Sequence, residues 1–163
     1  MDTHIVTKPL TRAGIFLGVG LGGFVDGILF HQILQLHNML TGRLPKTSIP
    51  NIEINMFWDG IFHTFTWGMT LVGLILLFRA HSVRNILWTS RVFVGSLFLG
   101  WGLFNVIEGI VDHHILNLHH VVELRGQSIF DVLFLLAGAV FIVGGWMAIR
   151  SARTNAIETT KAS

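Results

Sequence analysis

None of the 163 residues is a cysteine, only 3 are prolines, and only 12% are charged. The missing cysteine excludes disulfides, thiolate metal sites, iron–sulfur clusters and Cys-linked haem. The shortage of charge excludes an ordinary water-facing surface, since a soluble domain carries about 25% charged residues. Apolar side chains take their place: 52% of the residues are hydrophobic, with 18 Gly and 13 Phe, and the mean hydropathy is +0.65. Membrane embedding accounts for all of this. The pI near 9.7 carries no nucleic-acid signal, because the few Lys and Arg sit at the ends of apolar segments rather than on one stripe. The lipid bilayer is the expected partner, and no nucleic acid is. The length suits a single domain. No small-residue cleavage site follows the first apolar segment, so that segment is expected to remain as a span.

Four spans are predicted, over about 12–37, 56–78, 91–118 and 128–149. Each is long enough for a hydrocarbon core of about 30 Å at 1.5 Å per residue. Gly14, Gly18 and Gly22 fall every four residues, the spacing that lets membrane helices approach closely. Pro45 and Pro50 break the chain in the 39–55 loop. Lys8, Arg12, Arg79, Arg84, Arg91, Arg150, Arg153 and Lys161 fall on one side of the four spans; Arg43, Lys46 and Arg125 fall on the other. The imbalance predicts cytoplasmic termini and a long outer loop.

One stretch is written twice. Asp26 to Asn38 reads DGILFHQILQLHN, and Glu108 to His120 reads EGIVDHHILNLHH. Asp26 meets Glu108, Gly27 meets Gly109, His31 meets His113, Gln35 meets Asn117 and His37 meets His119. This is the mark of an internal duplication, with halves of about 12–78 and 91–149. The expected fold class is therefore all-α: an integral membrane four-helix bundle of two tandem duplicated helical hairpins, both termini cytoplasmic.

The polar residues fall at one depth. Counted from the cytoplasmic Arg of each span, Asp26, His31, Asp59, His63, Glu108, Asp112, His113 and Asp131 lie at roughly 21–33 Å, in the outer half of the membrane. The other half of the spans has no such group. Acids at this depth cost a few kcal/mol each, face the bundle interior and mark function. Asp59 and His63 share a face at i and i+4, as do Glu108 and Asp112. Carboxylates and imidazoles projecting inward from four helices hold metals in helical bundles, and a donor set without thiolate suits zinc, iron, copper or manganese alike. The expected ligands are Asp59, His63, Glu108, Asp112 and His113, with Asp26, His31 and Asp131 completing or orienting them. His37, His119 and His120 join only if the helices continue that far.

Blander readings stand beside these. One intramembrane His is more often a packing residue than a ligand. The whole layer could be a buried polar network, but buried charges are weak stabilisers and so many acids need a cation. His4 and His81 read as surface residues, and Trp58, Trp67, Trp88 and Trp101 as belt or packing aromatics. Asn105 could orient Glu108.

The stretches GGFVDGILFHQILQLHNML (22–40), FWDGIFHTFTW (57–67) and WGLFNVIEGIVDHHILNLHHV (101–121) resemble the domain-of-unknown-function 2243 family of bacterial four-span membrane proteins. That resemblance implies a bacterial plasma-membrane protein. It brings no assigned activity and tilts the metal question slightly towards copper handling. The leading expectation is an integral membrane metalloprotein with a mono- or dinuclear His/carboxylate site. It could be an oxidoreductase or hydrolase acting on a small or lipid-like substrate. The alternatives are a metal-binding (copper) assembly factor or a proton-linked conduit, a b-type haem protein using His63 with His31 or His113, and a structural subunit.

Overall fold

The computed structural model describes residues 6–162, so His4 lies outside the described residues. Helix α1 (Lys8–Val25) runs straight into a π-helical segment, Asp26–Ile33. A loop leads to α2 (Ile49–His81). Helix α3 (Ser90–Glu108) runs into a second π-helical segment, Gly109–Ile115. A short 3-10 turn, Glu123–Arg125, precedes α4 (Ile129–Ala162). Among the described residues there is no strand, only an isolated bridge between Val6 and Ile86. Four helices are long and apolar enough to cross a membrane: Lys8–Ile33, Ile49–His81, Ser90–Ile115 and Ile129–Thr159.

Local chemistry sets the helix starts. Pro9 sits in the first turn of α1, where its missing N–H costs nothing. Ser48 caps α2 by accepting from Asn51 N at 3.4 Å, and Thr89 caps α3 by accepting from Val92 N at 3.2 Å. Pro50, expected as a breaker, instead stands in the first turn of α2, so the helix begins at Ile49 and takes up the last part of the predicted loop. At α4, Asp131 reaches back to accept from Ser128 N at 2.8 Å, closing a capping box.

Helices α1 and α3 run parallel through the middle, with α2 antiparallel on α1 and α4 antiparallel on α3. The two central helices touch backbone to backbone. A Cβ on Gly18 would collide with the Leu97 carbonyl, and one on Gly100 would collide with that of Ile15. The two contacts are the same contact seen from each half, since Gly18 and Gly100, like Ile15 and Leu97, are 82 positions apart.

The interior changes character along its length. Near the chain termini it is apolar, built on Leu10, Val92 and Ala152. At the opposite end, where the π segments and loops 34–48 and 116–128 meet the starts of α2 and α4, the buried residues are Asp26, His31, His37, Asn55, Asp59, Glu108, His113, His119 and Asp131.

Candidate metal centre

The π-helical segments explain how the site is assembled. Their widened turns bond residue i to i+5, and such turns concentrate at functional sites. Leu34 N bonds Leu29 O at 2.8 Å, and its counterpart Leu116 N bonds Val111 O at 2.7 Å. Residues five apart thereby stack on one face. Asp26 and His31 meet, with His31 Nε2 3.0 Å from Asp26 Oδ2, and Glu108 and His113 hold the same spacing in the second half. An α-helix would have turned each pair apart. Each segment then ends on a residue in the left-handed region, Gln35 (φ 51°) or Asn117 (φ 48°). Leu36 N bonds back to Phe30 O at 2.9 Å and Leu118 N to Asp112 O at 2.8 Å, which closes each end as a helix C-cap does.

The reversal folds His37 and His119 back over the centre, and each is held by the opposite half. His37 Nδ1 donates to Val121 O at 3.0 Å, and His119 Nδ1 donates to Met39 O at 3.1 Å. A carbonyl only accepts, so both rings carry their proton on Nδ1. Burial pushes the His37 imidazole down to about 4. The His119 imidazole lies well below its ordinary value, first through burial and then through the neighbouring His37 and His113. Both rings are therefore neutral near pH 7, with the Nε2 lone pair free.

His31 and His113 are oriented by carboxylates. His31 Nδ1 donates to Asp59 Oδ1 at 3.1 Å, and His113 Nδ1 lies 3.1 Å from Asp131 Oδ1. Each carboxylate is itself fixed. Asp59 accepts from Met39 N at 2.9 Å and from the Asn38 amide; Asp131 accepts from Val121 N at 3.1 Å and from Ser128 N. A carboxylate holding one imidazole nitrogen so that the other faces a metal is the common outer-shell arrangement of metal-binding His.

The four rings converge. His37 and His119 stack with centroids 4.6 Å apart and 8° between planes; His31 lies 4.6 Å from His37, and His113 lies 4.8 Å from His119. All four Nε2 atoms are buried without a hydrogen-bond partner, as are Asp26 Oδ2 and both Glu108 carboxylate oxygens. His119 Nε2 is 3.6 Å from Glu108 Oε1, and His37 Nε2 is 3.9 Å from Asp26 Oδ1. His31, His37 and His119 form one set with ligand atoms within 4.8 Å of one another; Glu108, His113 and His119 form another. The donor set fits a transition metal ion. Orphaned buried polar atoms each cost about 1–3 kcal/mol, and a cation held by either set would satisfy several of them. Among the described residues, moreover, every carboxylate within ion-pair distance of a base is paired with a His and none with Lys or Arg.

Of the residues expected from sequence, Asp26, His31, Asp59, Glu108, His113, Asp131, His37 and His119 come together here. His120 is adjacent, with its Nδ1 3.5 Å from Asp131 Oδ1. His63 and Asp112 stand apart from the four rings. His63 stacks on Phe24 at 6.2 Å and packs against Gly27, while Asp112 lines an apolar cavity with Glu108. The i and i+4 spacing predicts Asp112 on the face of Glu108 that meets the rings, and the π turn directs it into the cavity instead. The Asn105 amide oxygen is buried without a partner, and His81 lies edge-on to Trp88.

Sequence reasoning missed the loop residues. Met39 and Val121 anchor the rings and carboxylates through their backbones, and Asn55 pins the first loop by accepting from Leu40 N and donating to Leu44 O. Their one legible signal is position, since Met39 and Val121 follow the two His-bearing repeats at the same offset.

No curated protein and no solved structure matches the chain. Residues 13–152 match the family described as predicted membrane protein (DUF2243), and the chain belongs to that family.

Proposed function

We propose that this multi-pass membrane protein is a metalloprotein. Its centre is built by His31, His37, His113 and His119 through Nε2, with Asp26 and Glu108 supplying carboxylate oxygens. One observation carries the reading: four buried imidazoles gather beside two buried carboxylates, three of them holding Nδ1 on an acceptor, and none of the four Nε2 atoms makes a hydrogen bond. The donors fall into two equivalent halves, one acid and two His each, which suits a dinuclear centre as well as a single ion. Zinc, iron, copper and manganese all accept such a donor set.

The two halves are the product of a tandem duplication of a helical hairpin. Both termini face the cytoplasm of a bacterium and the centre lies towards the outer face of its plasma membrane, a placement supported by the distribution of Lys and Arg. A bound metal would supply Lewis acidity and an activated water, or redox chemistry. Asp59 and Asp131 hold protons at His31 and His113 Nδ1, and Glu108 is the acid placed to exchange one with a substrate. This describes a membrane oxidoreductase or hydrolase. Metal delivery at the outer face is the second reading. It is favoured by a cleft lined by Thr41, Lys46 and Glu123, beside the loop that carries His37. Through-conduction fits less well, because the interior towards the termini is Leu10, Ala13 and Leu17.

The test is elemental analysis of protein purified without chelator, beside His119→Ala. His119 belongs to both ligand sets, so that variant should lose the metal altogether. Wild type should carry one or two equivalents of a transition metal; none bound, even after titration, would end the proposal.

A further inference from the structure

The two halves of the centre differ in charge where Phe30 stands opposite Asp112. The first repeat has Phe30, whose ring packs against His37 at 6.2 Å. The second has Asp112 at the corresponding position. The Asp112 side chain has no hydrogen bond or ion pair to another described residue, and it faces a cavity of about 350 Å³. Phe62, Phe65, Met69 and Phe104 make the apolar walls of that cavity, and Glu108 and Asp112 are its only acids. Glu108 is 5% exposed, and both of its oxygens lack partners. It is a wall of the cavity and also stands 3.6 Å from His119 Nε2.

The mouth of the cavity lies on the outer surface of the helices. Ile107 is 60% exposed and Phe65 50%, and on a spanning helix that surface meets lipid. A molecule entering there comes from the hydrocarbon phase. Its body must be apolar, to suit three Phe and a Met. Its leading end must hydrogen-bond with a carboxyl group, donating to it when it is ionised and accepting from it when it is protonated, and a hydroxyl can do both. A cationic head would also pair with a carboxylate, but it would first have to shed its water and pass an apolar mouth, which is costly at this depth. A neutral hydroxyl avoids that cost.

We propose that this cavity binds an apolar, hydroxyl-bearing molecule drawn from the bilayer, with its hydroxyl directed at Asp112 and Glu108 and so at the centre. The proposal rests on the metal reading only for what the hydroxyl approaches; binding itself needs only the cavity and its acids.

The experiment uses the full chain in lipid nanodiscs and a long-chain primary alcohol carrying a diazirine in mid-chain. Photolabelling should concentrate in 62–69 and 104–112. Decanol should compete roughly tenfold better than decane, the worth of about one hydrogen bond to an ionised group. Asp112→Leu should reduce decanol to the level of decane. Val111→Trp, which fills the mouth, should abolish labelling of these segments while metal content stays at the wild-type level. Labelling spread evenly over the outer faces of α2 and α4, equal competition by decane, or stronger competition by decylammonium would overturn the proposal. Metal content is measured on the same samples. Labelling as expected in protein that binds no metal even after titration would sink the metal reading and leave this one standing.

Discussion

The rings of His31, His37 and His119 are held through Nδ1 by Asp59, Val121 O and Met39 O, and His113 Nδ1 lies 3.1 Å from Asp131, so the Nε2 atoms are left for the centre. That division of labour is testable residue by residue. Asp59→Asn and Asp131→Asn leave every donor atom in place but weaken the hold on the His31 and His113 rings. Metal affinity, read by competition with a chromophoric chelator, should fall about 10–100-fold for each. Unchanged affinity would mean that these carboxylates serve only the loops. The metal-free protein should also carry a pH signature. The His37 pKa is lowered from 6.5 to about 4 by burial, so between those values the unfolded chain takes up a proton that the folded one refuses. Stability from this group therefore falls as pH drops from about 6.5 towards 4; a thermal midpoint unchanged across that window would contradict the assigned neutrality. At this scale the acids and the doubled His were legible, because intramembrane polar groups stand out in so apolar a sequence. The partners were not. Met39 and Val121 act through backbone atoms, which no side-chain pattern records.

The elements most responsible for the site are the two π-helical segments, and they were the least legible. On the third span the α-helical period puts Glu108 with Asp112. The extra residue in each π turn instead joins Asp26 to His31 and sends Asp112 to the side cavity. A signal was present: an acid followed by His at five residues occurs at Asp26/His31 and again at Glu108/His113. His37 and His119 were expected at the centre only if their helices continued that far; the chain instead leaves the helix at Gln35 and Asn117 and brings both back by a loop. The Gly series was readable, and its role is close approach. Gly100→Val would drive its side chain into the Ile15 carbonyl on α1. Overpacking of this kind typically costs about 1–3 kcal/mol, so a lower thermal midpoint with weakened metal retention is expected. A midpoint equal to wild type would show that α1 and α3 do not depend on this contact.

Over the whole molecule, the chain gathers its apolar packing at the end bearing the termini and its polar packing at the other, and the membrane supplies the solvent for the outer surfaces of α2 and α4. Four apolar helices were plain from composition and length. How they pack was not, since hydropathy does not say that α1 and α3 are central while α2 and α4 flank them. Orientation can be tested directly because the chain has no cysteine of its own. Thr47→Cys in the outer loop should react with a membrane-impermeant maleimide on intact cells, and Thr159→Cys near the C-terminus only after permeabilisation. The reverse pattern would place the centre on the cytoplasmic side. The central claim is a metal held by imidazole and carboxylate, and X-ray absorption at the edge of the bound metal reads that shell directly. The account predicts only nitrogen and oxygen neighbours, at about 2.0–2.2 Å for zinc, with the outer-shell scattering of several imidazole rings that weakens in His31→Ala and His113→Ala. A shell containing sulfur, or one with no imidazole scattering, would contradict it.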